Sequence, residues 1–181
     1  MQITPGTTLT DPAAGPAPVR GRLVRALALV AVLVYALDQA SKVLAVRQLT
    51  PGDPVPLLGS LVQLRIIRNP GAAFSLATGM TWVLTGVAVV VVVVVVRSAR
   101  RIGSRGWALA LGLLLGGALG NLTDRLLREP AVGRGHVVDF IDYHGLFVGN
   151  VADIAIVAAA VLVGLLGVRG IGVDGARSTR G

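Results

Sequence analysis

The chain has 181 residues, 54% of them hydrophobic and only 14% charged, with a mean hydropathy of +0.76; soluble domains carry about 25% charged residues, so the apolar excess points to a membrane. It has no cysteine and two histidines, His136 and His144, which excludes disulfides, thiol catalysis, Cys-ligated metal and lipidation of the chain itself, and leaves no His-Glu-x-x-His helix for a zinc protease. The formal charge of +8 would suit a nucleic-acid binder, but the basic residues flank apolar runs, so they read as topology and no nucleic-acid partner is expected.

Residues 1–19, rich in Pro, Thr, Gly and Ala with Asp11 as the one charge, read as a disordered tail. Four apolar stretches follow. The first runs from Leu23 to Leu37, ends in Asp38-Gln-Ala-Ser-Lys42, and reaches spanning length if the helix continues to Val46. The second runs from about Ala77 to Val96, the third from Trp107 to Leu127, and the fourth from Asn150 to Val168. A helix needs about 20 residues to cross a hydrocarbon core of about 30 Å. The second stretch closes on eight consecutive valines. Val suits strands in water, but a lone strand in lipid would leave its backbone unsatisfied, so this run reads as lipid-facing helix. Arg20, Arg22 and Arg25 before the first stretch imitate a cleavable signal peptide. Its polar end and the three spans after it argue for a retained helix.

Two segments lie between spans on one side. In residues 47–76, Val62-Gln-Leu-Arg-Ile66 alternates like a strand after turns marked by Pro51, Gly52, Pro54 and Pro56; in residues 128–149, His136-Val-Val-Asp-Phe-Ile141 is strand-like. The expected fold is therefore an all-α membrane protein of four transmembrane helices with a small extracytoplasmic β-sheet and loop region. Residues 20–170 would form the membrane domain, and 171–181 a basic cytoplasmic tail. Ten of the 17 basic residues (Arg20, Arg22, Arg25, Arg97, Arg100, Arg101, Arg105, Arg169, Arg177 and Arg180) fall on the side of the termini, with only Asp11 and Asp174 among the acids. The positive-inside rule makes that side cytoplasmic. The sequence carries no signal for oligomeric state.

Polar residues at membrane depth are costly and usually functional, and here they gather at the outer ends of the spans. Asp38 and Lys42 share a helix face and can pair; Asn121, Asp124 and Arg125 close the third span; Asn150 and Asp153 open the fourth; Asp139 lies just before it. Two carboxylates close together share one proton, so that one donates while the other acts as base toward water. That chemistry needs no metal, thiol or serine. The candidates are Asp38, Asp124, Asp139 and Asp153. Asp38 has Lys42 as a partner. Asp124 has Arg125 beside it and reads as a helix-end hydrogen-bonding group. Asp139 and Asp153 have no cation nearby in sequence and suit a pair better, although spacing leaves the choice open. Gly112, Gly116 and Gly120 bare one face of the third helix for close packing, while Gly117 and Gly120, nearer the polar end, could make room for substrate. His136 and His144 read as loop residues, Trp82 and Trp107 as interface anchors, and Asp142 and Glu129 as solvated loop charges; Arg128 and Arg134 could meet lipid phosphate and are assigned no role.

Five blocks resemble the lipoprotein signal peptidases (signal peptidase II): Asp38-Gln-Ala-Ser-Lys42, Asn69-Pro-Gly-Ala-Ala-Phe-Ser75, Gly116-Gly-Ala-Leu-Gly-Asn-Leu-Thr-Asp-Arg125, Val137-Val-Asp-Phe140 and Asn150-Val-Ala-Asp153. Each block alone is weak; all five in the family's order across residues 38–156 are specific. The resemblance implies a membrane aspartic endopeptidase with Asp139 and Asp153 as its catalytic pair. It gives supporting or substrate-binding roles to Asp38, Lys42, Asn69, Gly117, Asn121, Arg125, Asn150 and Ala152. The implied substrate is a prolipoprotein carrying a diacylglyceryl cysteine, cleaved just before that cysteine at the outer face of the bacterial cell membrane, among membrane lipids, with no cofactor and no metal. In one departure, Phe147-Val-Gly-Asn150 puts two residues between Phe and Asn where the family often has none, in a loop that is short for the family. Two rivals compete: a Ser-Lys protease built on Ser75 and Lys42, and a non-enzymatic carrier or assembly factor. A carrier should place its acids near the midplane and show internal repeats, whereas these acids lie at one rim.

Overall fold

The computed structural model describes residues 17–71 and 81–177. Its elements run α1 (Ala17–Gln48), β1 (Val55–Leu58), β2 (Val62–Asn69), α2 (Thr81–Ala99), α3 (Arg105–Leu127), β3 (Val137–Tyr143), β4 (Phe147–Gly149) and α4 (Val151–Val168). All four helices are long and apolar enough to cross a membrane.

The 32 residues of α1 extend about 48 Å at 1.5 Å per residue, well beyond a bilayer core. It starts at Ala17, inside the stretch that composition assigned to a tail. It passes through Asp38 and Lys42 without a break, because both are buried among partners and need no exit to water. The turn at Pro51 and Gly52 ends the descent of the chain, with Gly52 at φ +89°.

In α2 only Thr81, Thr85 and Val95 are buried, so most of the valine run faces outward, as lipid-facing filler should. α3 is the central helix, packed against α1, α2 and α4. Its glycines make that possible. A Cβ on Gly112 would lie 2.9 Å from the Leu27 carbonyl oxygen, one on Gly116 2.6 Å from that of Ala31, and one on Gly117 2.7 Å from that of Ala152. Backbone cannot yield as a side-chain tip can. Gly116→Ala should therefore cost about 1–3 kcal/mol by overpacking, read as a lower unfolding midpoint in detergent. An unchanged midpoint would mean that α1 and α3 can separate freely.

The strands form one antiparallel sheet in the order β1-β2-β3-β4. Pro56, expected in a turn, lies in β1 opposite Gln63; β1 is an edge strand, where a missing N–H is tolerated. The strand expected at 62–66 continues to Asn69, and the one expected at 136–141 continues to Tyr143. Val138 and Phe140 of β3 join Ala45 of α1 in a buried cluster, with Leu64 and Val151 against it. That cluster seats the sheet on the ends of α1 and α4. Because side chains alternate across a strand, Asp139 between them is turned the other way. The short segment between β3 and α4 folds as a hairpin. Phe147 pairs with Tyr143 in register, and their rings stack at 6.1 Å, so the chain reaches Asn150 without a long loop.

At the opposite end, Leu23, Leu27, Val95, Ile102, Ala108 and Leu111 form a second cluster. The segment read as the start of a basic tail folds onto this end. Ile171 bridges Arg177, the Gly103 N–H donates to the Val173 carbonyl at 2.9 Å, and the Trp107 indole N–H donates to that of Ile171 at 2.9 Å.

Candidate active site

Each polar residue named in the sequence as a candidate for the site, where described, lies at the sheet end of the helices. Asp139 comes from β3 and Asp153 from the first turn of α4. Asn150, the N-cap of α4, joins them. Its side-chain Nδ2 donates to Asp139 Oδ1 at 2.6 Å, and its backbone N–H donates to Asp153 Oδ2 at 3.0 Å. In return its Oδ1 accepts from the Asp153 N–H at 3.0 Å, completing a capping box. The motif that starts the helix thus also fixes the two carboxyl groups relative to one another.

Two more amides finish the arrangement. Asn69, at the end of β2, pairs with Val137 in register and reaches diagonally across the sheet to donate to Asp139 Oδ2 at 2.8 Å. Asn121 of α3 donates from Nδ2 to Asp153 Oδ1 at 2.9 Å. Each of the four carboxyl oxygens so far named accepts one hydrogen bond. Asn121 Oδ1 accepts from Asn150 at 3.2 Å and from Lys42 Nζ at 3.0 Å. The Lys42 contact sets the orientation of the Asn121 amide and aims its NH₂ at Asp153.

Lys42 is wholly buried and its three protons have three partners: Asn121, Asp38 Oδ2 at 2.8 Å and Asp124 Oδ2 at 3.0 Å. Asp38 also accepts from the Ala152 N–H at 3.0 Å, adding a tertiary cap to α4, whose positive dipole end favours a carboxylate. Asp124 accepts from the Val138 N–H at 3.1 Å and from Arg128 Nε at 2.6 Å. These four ionic side chains are neutral in sum and tie α1, α3, β3 and α4 together.

Three sequence readings are changed here. Asp124 is the hydrogen-bonding group near the end of α3 that the sequence suggested, but its ion-pair partners are Lys42 and Arg128 rather than the adjacent Arg125. Arg128 is engaged with Asp124 and not reserved for lipid phosphate; its i,i+4 spacing from Asp124 was the available signal. Asp142 is not a solvated loop charge: it is buried in β3, accepts from the Gly145 N–H at 2.7 Å and sits 3.1 Å from Arg65 Nε. Gly149 was missed altogether. A Cβ there would meet the Phe147 ring at 2.6 Å and Asp153 Oδ2 at 3.0 Å, so its bare backbone leaves room for the carboxyl group. Gly117 and Ala152 face each other where α3 meets α4, which gives them a packing role; Gly120 lies against the Asp38 carboxyl group, also with no space to spare. Ala72 to Ser75 of the second block lie outside the described residues, and with them the Ser-Lys alternative.

Burial pushes the Asp139 carboxyl from its ordinary 3.8 up to about 6; the Asn69 hydrogen bond opposes this, the Asp153 charge adds to it, and the Asn150 hydrogen bond and the Lys42 charge oppose it. Asp139 therefore holds a proton at pH values where a free carboxyl group has lost it. Arg125, one turn after Asn121, donates from Nη1 to the Asn121 carbonyl at 3.2 Å. Among the described residues its buried Nε has no hydrogen-bond partner, and the charges acting on it are those of Asp139, Asp153 and Asp124.

The family model described as "Signal peptidase (SPase) II" matches residues 30–168. The chain belongs to the signal peptidase II family. A lipoprotein signal peptidase of Rhodococcus jostii (strain RHA1) is 53% identical over 91% of this chain and 83% of its own length. That of Mycolicibacterium smegmatis (strain ATCC 700084 / mc(2)155) is 50% identical over 94% of this chain and 72% of its own. A solved bacterial membrane enzyme, determined by the in meso method at 1.9 Å, superposes with a TM-score of 0.67 at 26% identity, covering 80% of this chain and 91% of that one. A second, at 2.3 Å, gives a TM-score of 0.70 at 23% identity over 88% of this chain and 95% of that one, and speaks for the fold alone. This peptidase thus has the four-helix membrane fold with a small sheet at one end.

Proposed function

We infer that Asp139 and Asp153 are the catalytic pair of an aspartic endopeptidase that releases the signal peptide of a prolipoprotein by cutting just before its diacylglyceryl cysteine. The observation that carries this reading is Asn150, which hydrogen-bonds both carboxyl groups at once. Asp139, held up at about 6, is the protonated partner; Asp153 is the base. Water attacks the scissile carbonyl carbon and gives a proton to Asp153 while Asp139 protonates the carbonyl oxygen. The tetrahedral diol then collapses, the C–N bond breaks, and the cysteine nitrogen leaves with a proton returned from the pair. The Arg125 Nε–H, which has no partner among the described residues, suits a substrate backbone carbonyl.

The arginine excess at the opposite end from the sheet supports a cytoplasmic position for both termini, with the site on the outer face of the cell membrane. There the diacylglyceryl chains stay in lipid while the peptide bond enters the polar rim. The test is direct. Purified full-length protein in detergent micelles should cut a diacylglyceryl-cysteine peptide before the cysteine, as read by mass spectrometry, and leave the unmodified peptide intact. Equal cleavage of both would refute the lipid requirement, and no cleavage of several lipidated peptides would refute the substrate assignment.

The shared proton gives a pH signature. kcat/KM reports free-enzyme pKa values, so it should fall on the alkaline side with a midpoint at about 6. Asn69 stabilises the charged form of Asp139, so Asn69→Ala should move that midpoint to higher pH. A move to lower pH would reverse the assignment of the proton to Asp139.

A further inference from the structure

Far from the dyad, at the arginine-rich end, a groove of about 320 Å³ runs between α1 and α3. Arg22, Ala26 and Val30 line it on α1, and Arg105, Ala108 and Leu109 on α3. Positions 22, 26 and 30 are four apart, so they form one helix face, as do 105, 108 and 109. The floor is apolar and the two arginines stand together at one end. Both are exposed, and neither has an ion-pair partner among the described residues. The small side chains Ala26 and Ala108 keep the groove open, and exposed Leu109 marks its rim as lipid-facing.

We propose that this groove binds one anionic phospholipid, with its phosphate between Arg22 and Arg105 and an acyl chain along Ala26, Val30 and Ala108. The charge match selects the head group: two guanidinium groups without an ion-pair partner among the described residues favour a phosphate of net negative charge over a zwitterion, and basic pockets between spanning helices are established lipid sites in general. The chain match selects a lipid over free phosphate, since a soluble anion would use the arginines and leave the apolar floor empty. The bound lipid would fill the surface between α1 and α3, the same two helices that carry Lys42 and Asn121 at the other end.

Native mass spectrometry of the full-length protein from detergent micelles tests this, with phosphatidylglycerol and phosphatidylcholine of matched chains as probes and inorganic phosphate as a third. Phosphatidylglycerol should be retained about tenfold to thirtyfold over phosphatidylcholine, as expected for two arginines near a lipid phosphate. The double variant Arg22→Gln, Arg105→Gln should lose that preference. Ala26→Leu, which fills the groove from its exposed rim, should weaken retention with the arginines intact. Arg97→Gln with Arg100→Gln, in the neighbouring arginine cluster, should leave retention unchanged. Peptide cleavage should persist in all three and serves as the check of folding. Equal retention of the two lipids overturns the proposal. So does an equal loss in the Arg97, Arg100 variant, which would indicate only diffuse basic attraction; unchanged retention in Ala26→Leu, which would remove the acyl seat; or saturation by inorganic phosphate, which would make this a free-anion site.

Discussion

Asp139→Asn and Asp153→Asn are each expected to lower kcat/KM on a lipidated peptide by about 100- to 10,000-fold, the range for losing a positioned acid or base. The two residues work as one unit through Asn150, so the double variant should be little worse than either single one. Both variants should stay folded. Asn keeps one acceptor oxygen and sets its NH₂ against one former donor, a cost that loss of the buried charge offsets at Asp139. Their unfolding midpoints in detergent should therefore remain close to that of the unsubstituted protein. Rates within about tenfold of normal in either folded variant would contradict a role at the reacting bond. Effects that multiply in the double variant would instead imply independent residues acting at separate steps.

Lys42→Met should produce the largest loss of stability. Lys42 is the common partner of Asp38 and Asp124, and all three are wholly buried. Removing one member of a buried ionic cluster typically costs about 3–5 kcal/mol, mostly from the charge left behind. Asp124 retains Arg128, but among the described residues Asp38 retains only neutral donors, from Gln39 and the Ala152 N–H. Adding Asp38→Asn to Lys42→Met should therefore recover part of the loss, a non-additivity that a double-mutant cycle would resolve. Activity should fall as well, because Asn121 loses the donor that orients it toward Asp153. The readout is the shift in the denaturation midpoint in detergent, with cleavage measured alongside. Additive effects of the two substitutions would show that the ion pair contributes no coupling.

The clustering of rare polar residues at the ends of apolar runs was legible in the sequence because such groups cannot be left unsatisfied in lipid and must meet one another. The pairing of Asp38 with Lys42 was legible too, since positions four apart on a helix face the same way. The partner on another helix was not. Asp124 lies 82 residues from Lys42 in sequence, and no local periodicity relates them. Asp142 shows the same limit from the other direction. A lone acid near a turn looks solvated until the sheet closes over it.

From sequence alone came the four spans, the sheet at one end, the arginine-rich opposite end and a short list of acids able to do the chemistry, because hydropathy, charge and helical spacing act locally. Tertiary structure decided how those acids are partnered. It gave Lys42 to Asp38 and Asp124, leaving that pair neutralised, and it placed the Asn150 cap between Asp139 and Asp153. A carboxyl group's protonation depends on what surrounds it in three dimensions, on burial and on donors that come from distant parts of the chain.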